Sequence, residues 1–120
     1  MGQNKTGSQK ERRRHPRLDV QIWGVEKNDN SSYFHLLSNL SVGGFFIDKK
    51  FPFQAGSVVN MELELDGEMI TLKGKVINNY KDSTGNFTGA GVQFIEMDES
   101  IKSKIETYLE KLEKENQGII

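Results

Sequence analysis

The sequence predicts an all-β fold: a small six-stranded antiparallel β-barrel, closed or nearly closed, with a C-terminal α-helix. Two observations lead to this fold class. Six short apolar segments alternate with turn-forming clusters between Leu18 and Phe94, a spacing typical of β-sandwiches and β-barrels. After Asp98 the apolar residues recur at three- and four-residue steps instead of every second position, which indicates a helix.

Each predicted strand is a short apolar segment bounded by turn-forming residues. In the first strand Val20, Ile22 and Gly24 share one face, so Trp23 is expected on the outer face or at an edge. The polar cluster at residues 27–32 is typical of a turn. The six segments centre on Val20–Gly24, Phe34–Leu37, Phe45–Ile47, Val59–Leu65, Ile70–Val76 and Ala90–Phe94.

The fourth and fifth segments show the clearest strand pattern. Apolar and polar residues alternate from Val59 to Leu65 and again from Ile70 to Val76, with Asp66-Gly67 between the two runs. Asp-Gly favours a two-residue hairpin turn, because both central residues of that turn need positive φ. We therefore predict a β-hairpin centred on Asp66-Gly67.

The C-terminal segment has the pattern of an amphipathic helix. Asp98 is a suitable N-cap residue, since its side chain can accept a hydrogen bond from a free N–H of the first turn. Apolar residues then form a single stripe, which we expect to pack on the barrel, although binding of a partner protein is an alternative. The stripe contains Ile101, Ile105, Tyr108, Leu109 and Leu112.

Length and composition indicate one globular domain. The 120 residues are 35% hydrophobic and 28% charged, as in soluble globular proteins. No apolar run approaches the roughly 20 residues of a membrane span, and without cysteine neither a disulfide nor a thiolate metal site can form. We expect a cytoplasmic protein with no membrane insertion. Its expected parts are a flexible leader (1–11), a domain (12–114) with a basic arm (12–17), a barrel (about 18–96) and a helix (about 98–115), and a tail (116–120).

Charge is distributed unevenly along the chain. The formal net charge is −1, but residues 1–17 hold six of the sixteen basic residues and one of the seventeen acidic residues. This segment therefore carries +5, and the remaining residues carry −6. An acidic body repels a phosphate backbone, so a nucleic acid polymer is an unexpected partner. A small anion that meets the basic arm at one place is a better match.

Two short segments are candidates for binding such an anion. Residues 12–17 read Arg-Arg-Arg-His-Pro-Arg, and arginine can both stack on a base and donate a fork of hydrogen bonds to phosphate or guanine. Residues 39–44 read Asn-Leu-Ser-Val-Gly-Gly. Taken singly, the first is also consistent with a solvated tail and the second with an ordinary Asx or Ser turn closed by glycine.

Taken together, the two segments resemble the signature of the PilZ domain family, R-x-x-x-R followed by [D/N]-x-S-x-x-G. The first element falls on Arg13 and Arg17, and the second on Asn39, Ser41 and Gly44. The resemblance covers about 11–112 and includes the Gly-Val-Gln-Phe-Ile ending at 91–95. It implies a six-stranded barrel with a C-terminal helix that binds the bacterial second messenger cyclic di-GMP.

The resemblance also implies roles for individual residues. Arg13 and Arg17 would contact guanine edges or faces and the phosphates. Asn39 would accept from the donor edge of a guanine, less tightly than the aspartate of many family members. Ser41 would donate its hydroxyl to phosphate or base, and Gly44 would let the ligand approach the backbone.

Arg12 precedes the first signature arginine. A basic residue at that position in the family goes with an intercalated dimer of the nucleotide. Such a dimer carries about four negative charges, for which charged arginine donors are suited. The resemblance therefore implies that Arg12 contributes to the site, with one or two nucleotides bound.

No chemistry beyond binding is predicted. The sequence shows no nucleophile, base and orienting residue in a recognisable set, so we do not expect an enzyme, and no cofactor is implied. His15 and His35 are the only histidines, so no metal site is expected.

The predicted receptor would act as a monomer or homodimer and relay its signal to another protein. The alternatives are a PilZ-like protein-interaction module that does not bind nucleotide, and a barrel that binds RNA or single-stranded DNA.

Overall fold

The computed structural model of the protein describes residues 17–118. Within this range the chain forms six β-strands and, after them, one α-helix. Strands that pair with each other are antiparallel throughout. The elements are β1 (Leu18–Lys27), β2 (Ser32–Leu40), β3 (Gly44–Asp48), β4 (Val58–Leu65), β5 (Glu68–Lys81), β6 (Phe87–Phe94) and α1 (Glu99–Gly118).

The strands close into a barrel in the order β1-β2-β3-β6-β5-β4. β1 pairs with β2 on one side and with β4 on the other, so the sheet has no free edge. Four of the six pairs join strands that follow each other in sequence, whereas β1 pairs with β4 and β3 with β6, each across two intervening strands. The predicted six-stranded antiparallel barrel with a C-terminal helix is confirmed.

The β4–β5 hairpin forms at the predicted turn. Leu65 pairs with Glu68, and the two residues between them have positive φ, 56° at Asp66 and 83° at Gly67. Glycine adopts this conformation at little cost, and aspartate tolerates it better than most residues. The local sequence therefore fixes the register of the β4–β5 pair.

Side chains fill the interior of the barrel. Apolar residues at alternate positions of each strand point inward, and the polar residues between them face outward, as the period of two predicted. The interior of so small a barrel has no room for a ligand, because it is packed with side chains. The largest fully buried side chains are Phe45, Leu37, Leu40, Ile47, Met61, Leu63, Ile70, Ile105 and Val76.

The apolar stripe of α1 packs against the barrel. Ile105 is fully buried and Leu109 is 8% exposed, and both belong to the same core cluster as the inward residues of the strands. Ile101 and Tyr108 pack on this cluster while partly exposed. The predicted packing of the helix on the barrel is confirmed.

Two ion pairs hold α1 to the β4–β5 hairpin. The Nζ of Lys104 lies 2.5 Å from a carboxylate oxygen of Glu68, and that of Lys111 lies 2.7 Å from Asp66. The hydrogen bond and charge of Asp66 raise the pKa of Lys111 above its usual value. All four side chains are substantially exposed, so we expect these pairs to orient the helix more than to stabilise it.

The limits of α1 differ from the prediction at one end only. At its start, the carbonyl of Asp98 accepts the first helical hydrogen bond, from the N–H of Lys102 at 2.9 Å, as an N-cap residue does. At its end the helix continues to Gly118, three residues past the predicted boundary at 115. Residues 116–118 therefore belong to the helix and not to the predicted tail, because the segment contains no proline to interrupt its hydrogen bonds. The helix α1 contains too few apolar residues to cross a membrane. It is the only helix within residues 17–118.

The connection between β3 and β4 is fixed to β5. The N–H of Phe53 donates to Oδ1 of Asn79 and the Nδ2 of Asn79 donates to the carbonyl of Phe53, both at 2.9 Å. The Phe53 ring then lies 5.7 Å from the ring of His35. His35 is a buried side chain of β2, hydrogen-bonded to Glu26 at 2.8 Å. These contacts cover the end of the barrel opposite the β2–β3 turn.

Replacing Ile105 with alanine should destabilise the whole domain. Removing a fully buried isoleucine side chain beyond Cβ leaves a cavity that costs about 2–5 kcal/mol. Urea unfolding followed by circular dichroism measures the loss. The matched control is Glu106→Ala, an exposed change on the same helix turn, which should alter stability by no more than about 0.5 kcal/mol. Equal stability of the two variants would contradict the packing of α1 on the barrel.

Candidate ligand-binding site

Ser41 organises the turn between β2 and β3. Its Oγ accepts hydrogen bonds from the N–H groups of Gly43 at 3.1 Å and Gly44 at 3.2 Å. Its own N–H donates to the Gly44 carbonyl at 2.8 Å, and its hydroxyl points to the same carbonyl at 3.4 Å. Serine followed three residues later by glycine is thus the local pattern that this turn requires. A hydroxyl has one hydrogen, so donation to a ligand, the role expected from the sequence, would replace the contact with the Gly44 carbonyl.

Gly44 is required by the pairing of β3 with β6. It lies opposite Gln93, and a Cβ at this position would collide with the carbonyl oxygen of Val92. A further bond from the N–H of Phe94 to the carbonyl of Gly43 holds the turn against β6 at 3.0 Å. The absence of a side chain at Gly44 therefore has a reason within the fold, independent of the ligand approach expected from the sequence.

Asn39 lies on the outer face of the barrel, next to this turn. It pairs with Asp19 of β1 and with Phe46 of β3, while its neighbour Leu40 points into the core. An irregularity in β2 between Leu37 and Asn39 shifts the register at this point. The carboxamide of Asn39 is therefore half-buried at a fixed place at the end of β2.

The structure brings Arg17 to Asn39. The Nη1 of Arg17 donates to the Oδ1 of Asn39 at 3.3 Å across 22 residues of sequence. Arg17 is exposed and makes no salt bridge with any carboxylate of residues 17–118. Its charge is thus available at the outer surface, beside the β2–β3 turn. Arg12 and Arg13 lie outside the described residues.

Two aromatic rings lie on the outer face on the β3 side of Asn39, and the sequence did not predict them as site residues. Phe46 of β3 pairs with Asn39, and Tyr80 belongs to β5. Phe46 and Tyr80 have ring centroids 5.4 Å apart with planes inclined by 47°. We call them the aromatic shelf. The shelf lies on the outer face over Gly89 and Gly91 of β6. Glycines at two outward positions of one strand are the sequence feature that could have predicted it.

A separate groove lies further along the outer face. Its volume is about 1190 Å³, and it runs between the outer face of β1 and β2 and the loop before β6. Three exposed rings line it: Trp23 (64% exposed), Phe34 (71%) and Phe51 (76%). Trp23 is on the outer face, as predicted. Arg17 and Asn39 do not line this groove, so the signature residues and the groove are distinct surfaces.

Acidic and histidine side chains do not gather into a metal site in the described part of the chain. Residues 17–118 contain no group of three histidine, aspartate or glutamate side chains placed to hold an ion. The interactions available beside the β2–β3 turn are those of a guanidinium, a carboxamide and aromatic faces. Such a surface can recognise a planar, anionic, hydrogen-bonding molecule.

The sequence model of the PilZ domain family matches residues 11–111. The chain belongs to the PilZ domain family. This match spans both signature segments, including Arg12 and Arg13, and the resemblance inferred from the sequence is confirmed. No curated protein sequence matches the chain significantly.

Solved structures of PilZ proteins share the fold. The PilZ domain with c-di-GMP of YcgR from Escherichia coli superimposes with a TM-score of 0.67 at 18% identity, covering 89% of this chain and 95% of that one. The K. pneumonia MrkH–c-di-GMP complex gives 0.76 at 21% identity over 90% of this chain. The Bacillus subtilis inhibitor of motility, MotI/DgrA, gives 0.71 at 15% identity over 86%. The chain spans about half the length of the latter two, 55% and 52%.

Replacing Gly44 with alanine should destabilise the domain, because the added methyl group meets the Val92 carbonyl oxygen. Forcing an extra group into a packed position costs about 1–3 kcal/mol, measured by urea unfolding. Gly43→Ala is the matched control, since a Cβ there meets only the Ser41 Oγ at 3.7 Å, an ordinary contact. If Gly43→Ala were as destabilising as Gly44→Ala, the explanation of the signature glycine by β3–β6 packing would be wrong.

Proposed function

We propose that this PilZ protein is a receptor for cyclic di-GMP that relays the bound state to a partner protein. The proposal assigns binding to Arg12, Arg13 and Arg17 of the arm and to the turn residues Asn39, Ser41 and Gly44. The observation that carries it is the hydrogen bond from Arg17 to Asn39, which joins the two signature segments at one place on the surface. Support also comes from YcgR and MrkH, whose PilZ folds are known in complex with c-di-GMP.

The chemistry of Arg17 and Asn39 suits a guanine base. The O6 and N7 atoms of guanine accept two parallel hydrogen bonds from a guanidinium, a contact worth about 1–3 kcal/mol of discrimination between bases. The Oδ1 of Asn39 already accepts from Arg17, and the same oxygen can accept from the donor edge of guanine. In the proposed complex, Arg17 exchanges an amide partner for the ligand, and no buried charge has to be released.

Ser41 and Gly44 support the site through the shape of the turn. The bonds that Ser41 accepts hold the N–H groups of Gly43 and Gly44 toward its own hydroxyl. Gly43 is exposed at the surface of this turn, so its backbone leaves space beside Asn39 for a phosphate or a base. We assign Ser41 a contact with the ligand and Gly44 the close approach of the two strands that forms the site.

The arm sets the charge of the complex. Arg12, Arg13 and Arg17 supply three positive charges on a body that is otherwise acidic. An intercalated dimer of the ligand carries about four negative charges, which charged arginine donors neutralise with short hydrogen bonds. We therefore assign Arg12 to the second nucleotide.

A second candidate function is a protein-interaction module that does not bind nucleotide. The groove beside Trp23 and Phe34 favours it, because large exposed apolar patches mark interaction surfaces. In the receptor proposal a ligand acts on a partner by shifting the population of two states of the protein. The two functions differ in one respect that can be measured, the binding of cyclic di-GMP itself.

Calorimetric titration with cyclic di-GMP tests the proposal. The parent should bind near micromolar, about −8 kcal/mol, and Arg17→Ala should weaken binding roughly tenfold or more because a charged, bidentate contact is lost. Lys114→Ala, at an exposed position of α1, removes the same charge outside the signature segments and should bind like the parent. The stoichiometry distinguishes one nucleotide from two. A parent that shows no heat and no binding would overturn the receptor proposal in favour of the second candidate.

Replacing Asn39 with aspartate should tighten binding several-fold. A carboxylate accepts through both oxygens and makes charge-assisted hydrogen bonds, which are about twice as strong as neutral ones. Asn39→Leu keeps similar bulk without an acceptor and should weaken binding at least tenfold. Equal affinities for aspartate, asparagine and leucine at this position would show that the side chain does not contact the base.

A further inference from the structure

Within the aromatic shelf, Phe46 is the neighbour of Asn39 across the β2–β3 pair, and Tyr80 lies on β5, two strands beyond β3. Asn39 of β2 pairs with Phe46 of β3, and Phe46 pairs with Gly91 of β6. The next residues on both strands, Leu40 and Phe45, are buried in the core, so Asn39 and Phe46 face outward together. Side chains directly opposite in an antiparallel pair have Cβ atoms about 4.5–5.5 Å apart.

The two rings are held close to the backbone of β6. At Gly89 a Cβ would lie 2.5 Å from the Phe46 ring, and at Gly91 a Cβ would lie 3.4 Å from the Tyr80 ring. Each ring therefore reaches diagonally over the glycine opposite the other ring. A Cβ at 89 would collide with the Phe46 ring and with the carbonyl oxygen of Ile47, whereas a Cβ at 91 would touch the Tyr80 ring at an ordinary contact distance. Tyr80 is nevertheless 46% exposed, so the shelf keeps an apolar surface open to solvent beside Asn39.

We propose that the shelf is the stacking surface for a guanine base of cyclic di-GMP, an inference that rests on the proposed function. A planar base lying on Phe46 and Tyr80 would present its edge toward Asn39. One base would thus contact the carboxamide with its edge and the aromatic rings with its face at the same time. Stacking on an aromatic ring and an edge hydrogen bond use different parts of the base, so the two contributions do not compete.

Charge determines which part of the ligand lies on the shelf. Asp48 follows Phe46 on the outer face of β3, is exposed, and lies opposite Gly89. Its carboxylate repels a phosphate at this end of the shelf but does not repel a neutral base. The phosphates are directed instead toward the guanidinium of Arg17. The ligand therefore lies with its phosphates at the barrel end and a base along β3 and β6.

A purely structural role for the rings is the alternative. Aromatic side chains that cover glycines stabilise a sheet, and this role needs bulk over Gly89 and Gly91 without any ligand. It predicts that leucine at position 46 or 80 changes stability and leaves nucleotide affinity unchanged. The stacking role predicts a loss of affinity in molecules that remain folded.

Titration of folded Tyr80→Leu and Phe46→Leu proteins with cyclic di-GMP distinguishes the two roles. Each should bind roughly five- to a hundredfold more weakly than the parent, the range measured for loss of one base–aromatic stack. Tyr80→Phe keeps the π face without the hydroxyl and should bind like the parent. Phe34→Leu makes the same ring-to-leucine change at an exposed position in the groove and should also bind like the parent. Circular dichroism establishes folding, and Tyr80 alone carries the test if Phe46→Leu does not fold.

Each outcome decides the inference. Parent-like affinity of Tyr80→Leu, while Arg17→Ala binds weakly, would overturn the shelf and leave the proposed function intact. An equal loss of affinity in Phe34→Leu or in Tyr80→Phe would also overturn stacking. The loss would then not depend on an aromatic face in the shelf. A parent that does not bind cyclic di-GMP would overturn both the proposed function and the shelf.

Discussion

The close approach of β3 and β6 at Gly44 is the constraint on which the rest of the structure depends. These strands are far apart along the chain, and at Gly44 their backbones leave no space for a Cβ. The hydrogen bonds that Ser41 accepts shape the turn that leads into β3. The hydrogen bond from the N–H of Phe94 to the carbonyl of Gly43 holds this turn against β6. Closing a loop of this length costs chain entropy, which several short-range contacts at one turn offset together.

The same constraint places the candidate site on the outside of the barrel. Large side chains, among them Phe45 and Met61, occupy the interior, so a nucleotide cannot enter it. The end of β2 is fixed against β1 and β3, and Asn39 therefore stands opposite both Asp19 and Phe46. Arg17 reaches this place because Leu18 pairs with Leu40. Strand register thus brings Arg17, the turn and Phe46 together.

Local sequence patterns predicted most of the fold, because most of the elements are determined by near neighbours. The alternation around Asp66-Gly67 and the stripe containing Ile105 each need only the period of their own segment. The pairing of β3 with β6 could not be read in this way, since no local pattern specifies a non-local partner. For the same reason the sequence did not predict the contact of Phe46 with Tyr80. The end of α1 was misplaced because Gly118 is a weak stop signal inside a polar segment.

The sequence predicted which residues belong to the candidate site but not the local contacts that position them. The signature assigns the predicted site to Asn39, Ser41 and Gly44, and the family match covers all three positions. The structure adds that Ser41 and Gly44 have structural roles, Ser41 in the hydrogen bonds of the turn and Gly44 in the pairing of β3 with β6. Their presence in the signature therefore reflects the geometry of the turn as well as any ligand. Asn39 and Arg17 have no comparable role in the core. The case for binding therefore depends most on these two side chains.

The most direct test of the receptor account is a residue-resolved map of where cyclic di-GMP acts on the protein. Backbone amide chemical shifts of the isotope-labelled chain, recorded by NMR during titration, provide that map. The account predicts that the largest chemical-shift changes fall on Arg17, on residues 39–44 and on the strand residues around Phe46 and Tyr80. The shifts of groove residues around Phe34 should change little. Changes confined to the groove, or none at saturating nucleotide, would contradict it.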